Sequence, residues 1–181
     1  MIHYVAVFLS SLFMCSAVYA GSVTTVSLSM LSSTLNQRMV LMRDVAEFKA
    51  VHHLPVEDLA REENVISAAK NEAAEAGLDP QTVEPFVHAL MNASKAIQYR
   101  YLADWLATPQ QEASAQTLAS SREKIQQLDQ QLMTTLSQYL LTGSFSSDDL
   151  AWLESQLNAP NLGKADIDNM LHALTQIRRA V

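Results

Sequence analysis

The sequence predicts an all-α fold: a six-helix, bundle-like single domain with a long N-terminal helix, behind a cleaved leader. Three observations predict it. The chain of 181 residues holds only four Gly and five Pro, few for a protein of short strands and tight turns. Eight Met and many Ala, Leu and Gln favour helix. Apolar residues recur at helical spacing in four long segments, and none shows strand-like alternation. Composition also narrows function. At 49% hydrophobic and 17% charged, the chain is too apolar for disorder and long enough for one core. A net charge of -7 argues against nucleic acid as a partner, because phosphate binding needs a basic face. A single cysteine, Cys15, excludes a disulfide framework and a Cys-rich metal site.

Taken in order, residues 1–20 contain no Asp, Glu, Lys or Arg, and their apolar stretch from Val5 to Val18 suits a signal peptide and is short for a membrane span. Small residues at Ala17 and Ala20 place the cut after Ala20, although the segment before the stretch lacks Lys and Arg. The mature chain, 21–181, then has no cysteine and no second stretch of spanning length, so it is expected in the periplasm or outside the cell, with no membrane contact. A first helix is expected from Ser22 to His53, which lacks Gly and Pro, with Pro55 breaking the chain. A second runs from Val56 to Ala76, ended by Gly77 as a left-handed cap. Asp79-Pro80 caps a third that reaches Ala107. The fourth covers Glu112 to Leu141 and stops at Gly143. Ser147, with Asp148 and Asp149, caps a short fifth, and a sixth follows the loop 158–163 to the C-terminus.

The helical seams carry the functional signal. Helix one buries Leu31, Leu35, Arg38, Met42, Val45 and Lys49, in alternating steps of four and three. Two of these six are cations, on one face about 16 Å apart along the axis. Helix two reads Leu59, Glu62, Ile66, Ala69 and Ala73, with Asp58 and Arg61 beside Glu62. Helix three reads Val83, Val87, Leu90, Ser94, Ile97, Tyr101 and Trp105, with Gln98 one turn past Ser94. Helix four reads Leu118, Arg122, Ile125, Leu128 and Leu132. Each polar intruder alone has a structural explanation: long cations reach water from a core edge, a seam Ser bonds its own helix, and Glu62 can pair with Arg61 or Lys49. Four helices doing so together is different, because unpaired buried charge costs several kcal/mol per ion. Three Arg and one Lys against one or two carboxylates make a positive pocket in an acidic protein. Its complement is a small anion with more than one carboxylate or phosphate.

The series Arg38, Lys49, Asp58, Arg61-Glu62, Ser94 and Gln98 resembles the active-site series of the all-helical chorismate mutases. The flanking text "RMVLMRDVAEFKA", "LPVEDLARE" and "ASKAIQYRYLADW" resembles that family too, and the leader and C-terminal extension resemble its secreted gamma subclass. The motif region spans 31–105, and the extension 109–181 contributes Arg122, in "ASSREKI". The resemblance implies conversion of chorismate to prephenate by a [3,3] rearrangement, the chemistry of phenylalanine and tyrosine biosynthesis, with no metal, nucleophile or cofactor. It implies Lys49 and Gln98 as the catalytic pair at the ether oxygen, and Arg38 and Arg61 on the two carboxylates, with Ser94 assisting. It implies Glu62 on the ring hydroxyl, and Asp58 orienting that wall. Arg122 takes the place of an Arg that short cytosolic members borrow from the partner subunit. A homodimer with a complete site in each protomer is thus expected. The alternative is a non-catalytic helical binding protein for a small dicarboxylate, which needs no pair of donors like Lys49 and Gln98.

Other residues carry less. His52-His53 point about 100° apart on a helix and cannot share a metal. His88 follows Glu84 by four residues, without a third ligand. Trp105 and Trp152 read as core or helix contacts, and Arg178-Arg179 as partners of the last helix dipole.

Overall fold

The computed structural model describes residues 16–108 and 117–181, with side chains from Thr24 onward. Most of the apolar leader, with Cys15, therefore lies outside the described residues, as do residues 112–116 of the expected fourth helix. Seven helices follow among those described: α1 Ser16–Val40, α2 Met42–Val51, α3 Leu59–Glu75, α4 Pro80–Ala107, α5 Leu118–Leu140, α6 Ser147–Gln156 and α7 Lys164–Leu174. The fold is all-α, and its only β pairing among the described residues is an isolated bridge between Leu78 and Arg179.

The single first helix expected from the sequence is two. A turn at Leu41 separates α1 from α2, with long bonds from Leu41 N to Gln37 O (3.3 Å) and Val45 N to Leu41 O (3.2 Å). No Pro or Gly marks the place; α1 packs chiefly on α5 and α2 on α4, and the turn absorbs the change of partner. The seam survives it, for Leu31, Leu35, Arg38, Met42, Val45 and Lys49 are all buried.

The second helix begins later than expected. His53 adopts a left-handed φ of 53°, Pro55 and Val56 stay in the loop, and α3 starts at Leu59 under the Asp58 cap, whose Oδ1 accepts from Arg61 N at 3.1 Å. Leu59, expected on the buried seam, is 72% exposed. The end of α3 matches the expectation. Gly77, at φ 76°, lets Leu78 N reach Ala73 O (2.8 Å) and Gly77 N reach Ala74 O (3.0 Å), satisfying two terminal carbonyls. Asp79 then caps α4 by accepting from Gln81 N, with Pro80 at the first position.

The N-cap of α6 is Ser146, one residue before the expected Ser147, paired reciprocally with Asp149. The last helix stops at Leu174 instead of the C-terminus. The tail returns to α3's end through Asp79 N to Arg178 O and Ala180 N to Gly77 O. Arg178 does donate to the Thr175 and Ile177 carbonyls, but Arg179 crosses to the Ser137 carbonyl and hydroxyl on α5. Trp152 is 37% exposed rather than core, and Trp105 stacks on Tyr101. The core itself runs through Leu31, Leu35, Met39, Phe86, Leu90, Ile97, Leu132, Leu136 and Tyr139. Each such side chain contributes about 1.5–3 kcal/mol on burial, so α1, α4 and α5 form a stiff frame for the polar groups between them.

Candidate active site

One pocket opens between α1–α2, α3, α4 and α5. It is lined by Arg38, Lys49, Asp58, Arg61, Glu62, Ser94, Gln98 and Arg122, and walled by Met42, Val45, Val56, Val65, Met91 and Ile125. All eight site residues expected from the sequence thus meet there, within one chain.

Arg38, in the last turn of α1, is buried and held on three sides. Its Nε donates to Asp129 Oδ1 on α5 (2.7 Å), and one terminal nitrogen donates to Ser94 Oγ (2.7 Å) and, more weakly, to Leu90 O (3.5 Å). Ser94 Oγ donates in turn to Leu90 O at 2.7 Å, so the hydroxyl both bonds back to its own helix and orients Arg38. Lys49, in the last turn of α2, donates to the Val56 carbonyl at 2.6 Å. Burial lowers its pKa below the ordinary lysine value; Asp58 pulls it back up, and Arg122 adds to the lowering. The same bond ties the α2–α3 loop to the site, helped by the Tyr99 hydroxyl donating to Glu57.

Asp58 does two jobs. While Oδ1 caps α3, Oδ2 accepts from Arg122 at 3.0 Å, fastening the start of α5 to the start of α3. Glu62 pairs neither with Arg61 nor with Lys49. Its Oε2 accepts from Lys95 Nζ at 3.0 Å, and its Oε1 is buried without a partner. The Gln98 amide nitrogen donates to Ser94 O (3.1 Å) and faces the Met42 sulfur (3.8 Å), and its oxygen is likewise buried and unpartnered. Two buried acceptors without donors, both in one pocket, mark a site arranged for a ligand rather than for itself.

Sequence reasoning missed two residues. Lys95 lines the pocket, and Asp129 stands behind Arg38. A signal existed for each: Lys95 adjoins Ser94 and lies three residues before Gln98, and Asp129 follows Arg122 by seven, two turns along one face. With them the charges resolve. Arg38 pairs with Asp129, Arg122 with Asp58 and Lys95 with Glu62. Lys49 and Arg61 have no carboxylate within ion-pair distance among the described residues. The site therefore carries an excess of two positive charges, the complement of a dianion. Among the described residues no cluster of three or more His, Cys, Asp or Glu is placed to hold a metal, and no helix is long and apolar enough to cross a membrane. His52 stacks on Phe48, and His88 faces Glu84 across a helical turn.

Comparison with known proteins agrees with this chemistry. The family model described as chorismate mutase type II matches residues 29–99. A monofunctional chorismate mutase of Enterobacter agglomerans is 55% identical over 179 residues, 99% of each chain. A secreted chorismate mutase of Yersinia pestis is 34% identical over 145 residues, 80% of this chain and 78% of that one. Among solved structures, the crystal structure of the Yersinia pestis secreted chorismate mutase superposes with a TM-score of 0.77 at 32% identity, covering 82% of this chain and 97% of that one. A chorismate mutase from Burkholderia thailandensis superposes with a TM-score of 0.71 at 25% identity, covering 82% and 98%.

Proposed function

The chain belongs to the chorismate mutase family, as the relative 55% identical over nearly its whole length shows, and from that premise we propose that it converts chorismate to prephenate outside the cytoplasm. The reaction is an isomerisation: one ether C–O bond breaks, one C–C bond forms, and nothing enters or leaves. The protein's task is to hold a flexible dianion in its compact conformer and to stabilise negative charge growing on the ether oxygen. The observation that carries this reading is the excess of two positive charges in a pocket whose remaining cations are each locked to a carboxylate.

In this reading Arg38 and Arg61 take the two carboxylates, with Ser94 beside Arg38. Lys49 and the Gln98 amide face the ether oxygen. For Gln98 this requires its NH2, which donates to Ser94 O, to be presented to the ligand. Glu62 Oε1 accepts the ring hydroxyl. Arg122 closes the anionic end, positioned by Asp58. Lys49 starts with a lowered pKa, and a bound dianion favours its charged form, so substrate itself completes the electrostatics of the site.

Chorismate added to the purified protein should disappear, followed by loss of its absorbance, with prephenate as product. Binding of chorismate or a dicarboxylate without turnover would establish the binding-protein alternative instead.

The leader reading continues as part of this proposal: residues 1–20 direct export and 21–181 form the mutase domain, in keeping with a relative described as secreted. Intact mass of protein from the periplasm of an exporting host should begin near Gly21, and a soluble species retaining Met1 would refute it. The proposed homodimer places a whole site in each protomer, since Lys49 and Arg122 of one chain line one pocket. Heterodimers of Lys49→Ala and Arg122→Ala chains should therefore stay inactive. Activity regained on subunit exchange would mean that sites are shared between chains.

A further inference from the structure

We infer that Lys95 is a positioning residue for this reaction: it fixes Glu62 so that one carboxylate oxygen stands ready for the substrate's hydroxyl, and keeps that carboxylate off the cations meant for the dianion. The inference rests on the functional reading above. Lys95 lies on α4 between Ser94 and Gln98, and its Nζ is 3.0 Å from Glu62 Oε2 across to α3. The pair is largely shielded, with side chains 24% and 21% exposed. The two oxygens of Glu62 are thereby made unequal. Oε2 has a donor, and Oε1 is buried in the site with none.

The alternatives open to Glu62 show what Lys95 accomplishes. Glu62 adjoins Arg61 in sequence, and Lys49 lines the same pocket. A carboxylate released from Lys95 would lower its energy by turning toward one of these two cations, since an unpaired buried charge is costly. Either turn consumes a donor that the substrate requires and withdraws the acceptor from the hydroxyl. Lys95 satisfies the charge from the far side and leaves both cations facing the cavity. Its action on the substrate is thus through Glu62, which distinguishes it from the groups that touch the reacting atoms.

A double-mutant cycle on the full protein with chorismate tests this. Lys95→Met should lower kcat/KM by about tenfold or more, and Lys95→Arg, which keeps the charge, should stay within about threefold of wild type. In a Glu62→Gln background, where no carboxylate remains to be placed, Lys95→Met should change kcat/KM by less than about twofold. Circular dichroism and thermal midpoints accompany each variant, and if Lys95→Met does not fold, Lys95→Gln takes its place in the cycle. An equal loss in both backgrounds means that Lys95 acts on the substrate directly, and a lowered midpoint with wild-type kinetics means that it only braces the fold; either overturns the inference. A wild-type protein without turnover overturns the functional reading as well, whereas an active wild type with uncoupled residues overturns this inference alone.

Discussion

Lys49→Met should lower kcat/KM by about 10²- to 10³-fold while leaving the fold intact, the loss expected when a preorganised donor to a developing oxyanion is removed. Methionine nearly matches the lysine stem, so the buried volume at this position is kept. Two opposing effects bear on stability. The Val56 carbonyl loses its donor, at about 1 kcal/mol, but a buried cation whose pKa is lowered chiefly by burial is relieved. The net change in unfolding free energy should stay within about 1 kcal/mol, and urea unfolding beside steady-state kinetics separates chemistry from folding. The wild type adds a pH signature. Because the folded pKa of Lys49 lies below the ordinary lysine value, kcat/KM should fall as pH rises through that lowered value, whereas the alkaline limb of kcat should lie higher, since bound dianion favours the ammonium. Stability runs the other way: the cost of the buried charge is present below the folded pKa and relieved as pH rises from there to the unfolded value. Wild-type kinetics in folded Lys49→Met would remove Lys49 from the mechanism.

Arg38→Met should be more damaging, because it strikes binding and folding together. Its guanidinium is buried against Asp129, with side chains 4% and 14% exposed, and donates also to Ser94 and Leu90. Removing one member of such a pair leaves a buried carboxylate uncompensated, at about 3–5 kcal/mol. Turnover should fall below detection, since the carboxylate clamp goes with the structural contact. The double variant Arg38→Met/Asp129→Leu resolves the two roles. A pair replaced by apolar groups of similar volume is often neutral or stabilising, so the urea midpoint should return toward wild type while activity stays lost. Recovery of activity in the double variant would show that Arg38 serves only the fold.

These two residues also show how much was legible beforehand. Arg38 and Lys49 were visible as cations on an apolar seam, and that seam is buried along its whole length. The caps at Gly77 and Asp79 were equally readable, because a cap is decided by residues two to five apart along the chain. Leu59 misled for the opposite reason: periodicity says which residues share a face, not which turns of that face a neighbour covers. The turn at Leu41 has no local signal at all, being imposed by α1 and α2 packing on different partners.

By itself, then, the sequence determined the helical class, the helix ends at Gly77 and Asp79-Pro80, and eight of the polar residues facing the pocket, since each follows from spacing within a few turns. Which of those polar residues neutralise one another was decided only by tertiary structure. Arg38 meets Asp129 across 91 positions, Asp58 meets Arg122 across 64, and Glu62 meets Lys95 across 33. Coulomb attraction depends on distance in space, not along the chain. Only when α3, α4 and α5 pack does Glu62 choose Lys95 over its sequence neighbour Arg61, and only that choice leaves Arg61 and Lys49 unpaired for a dianion.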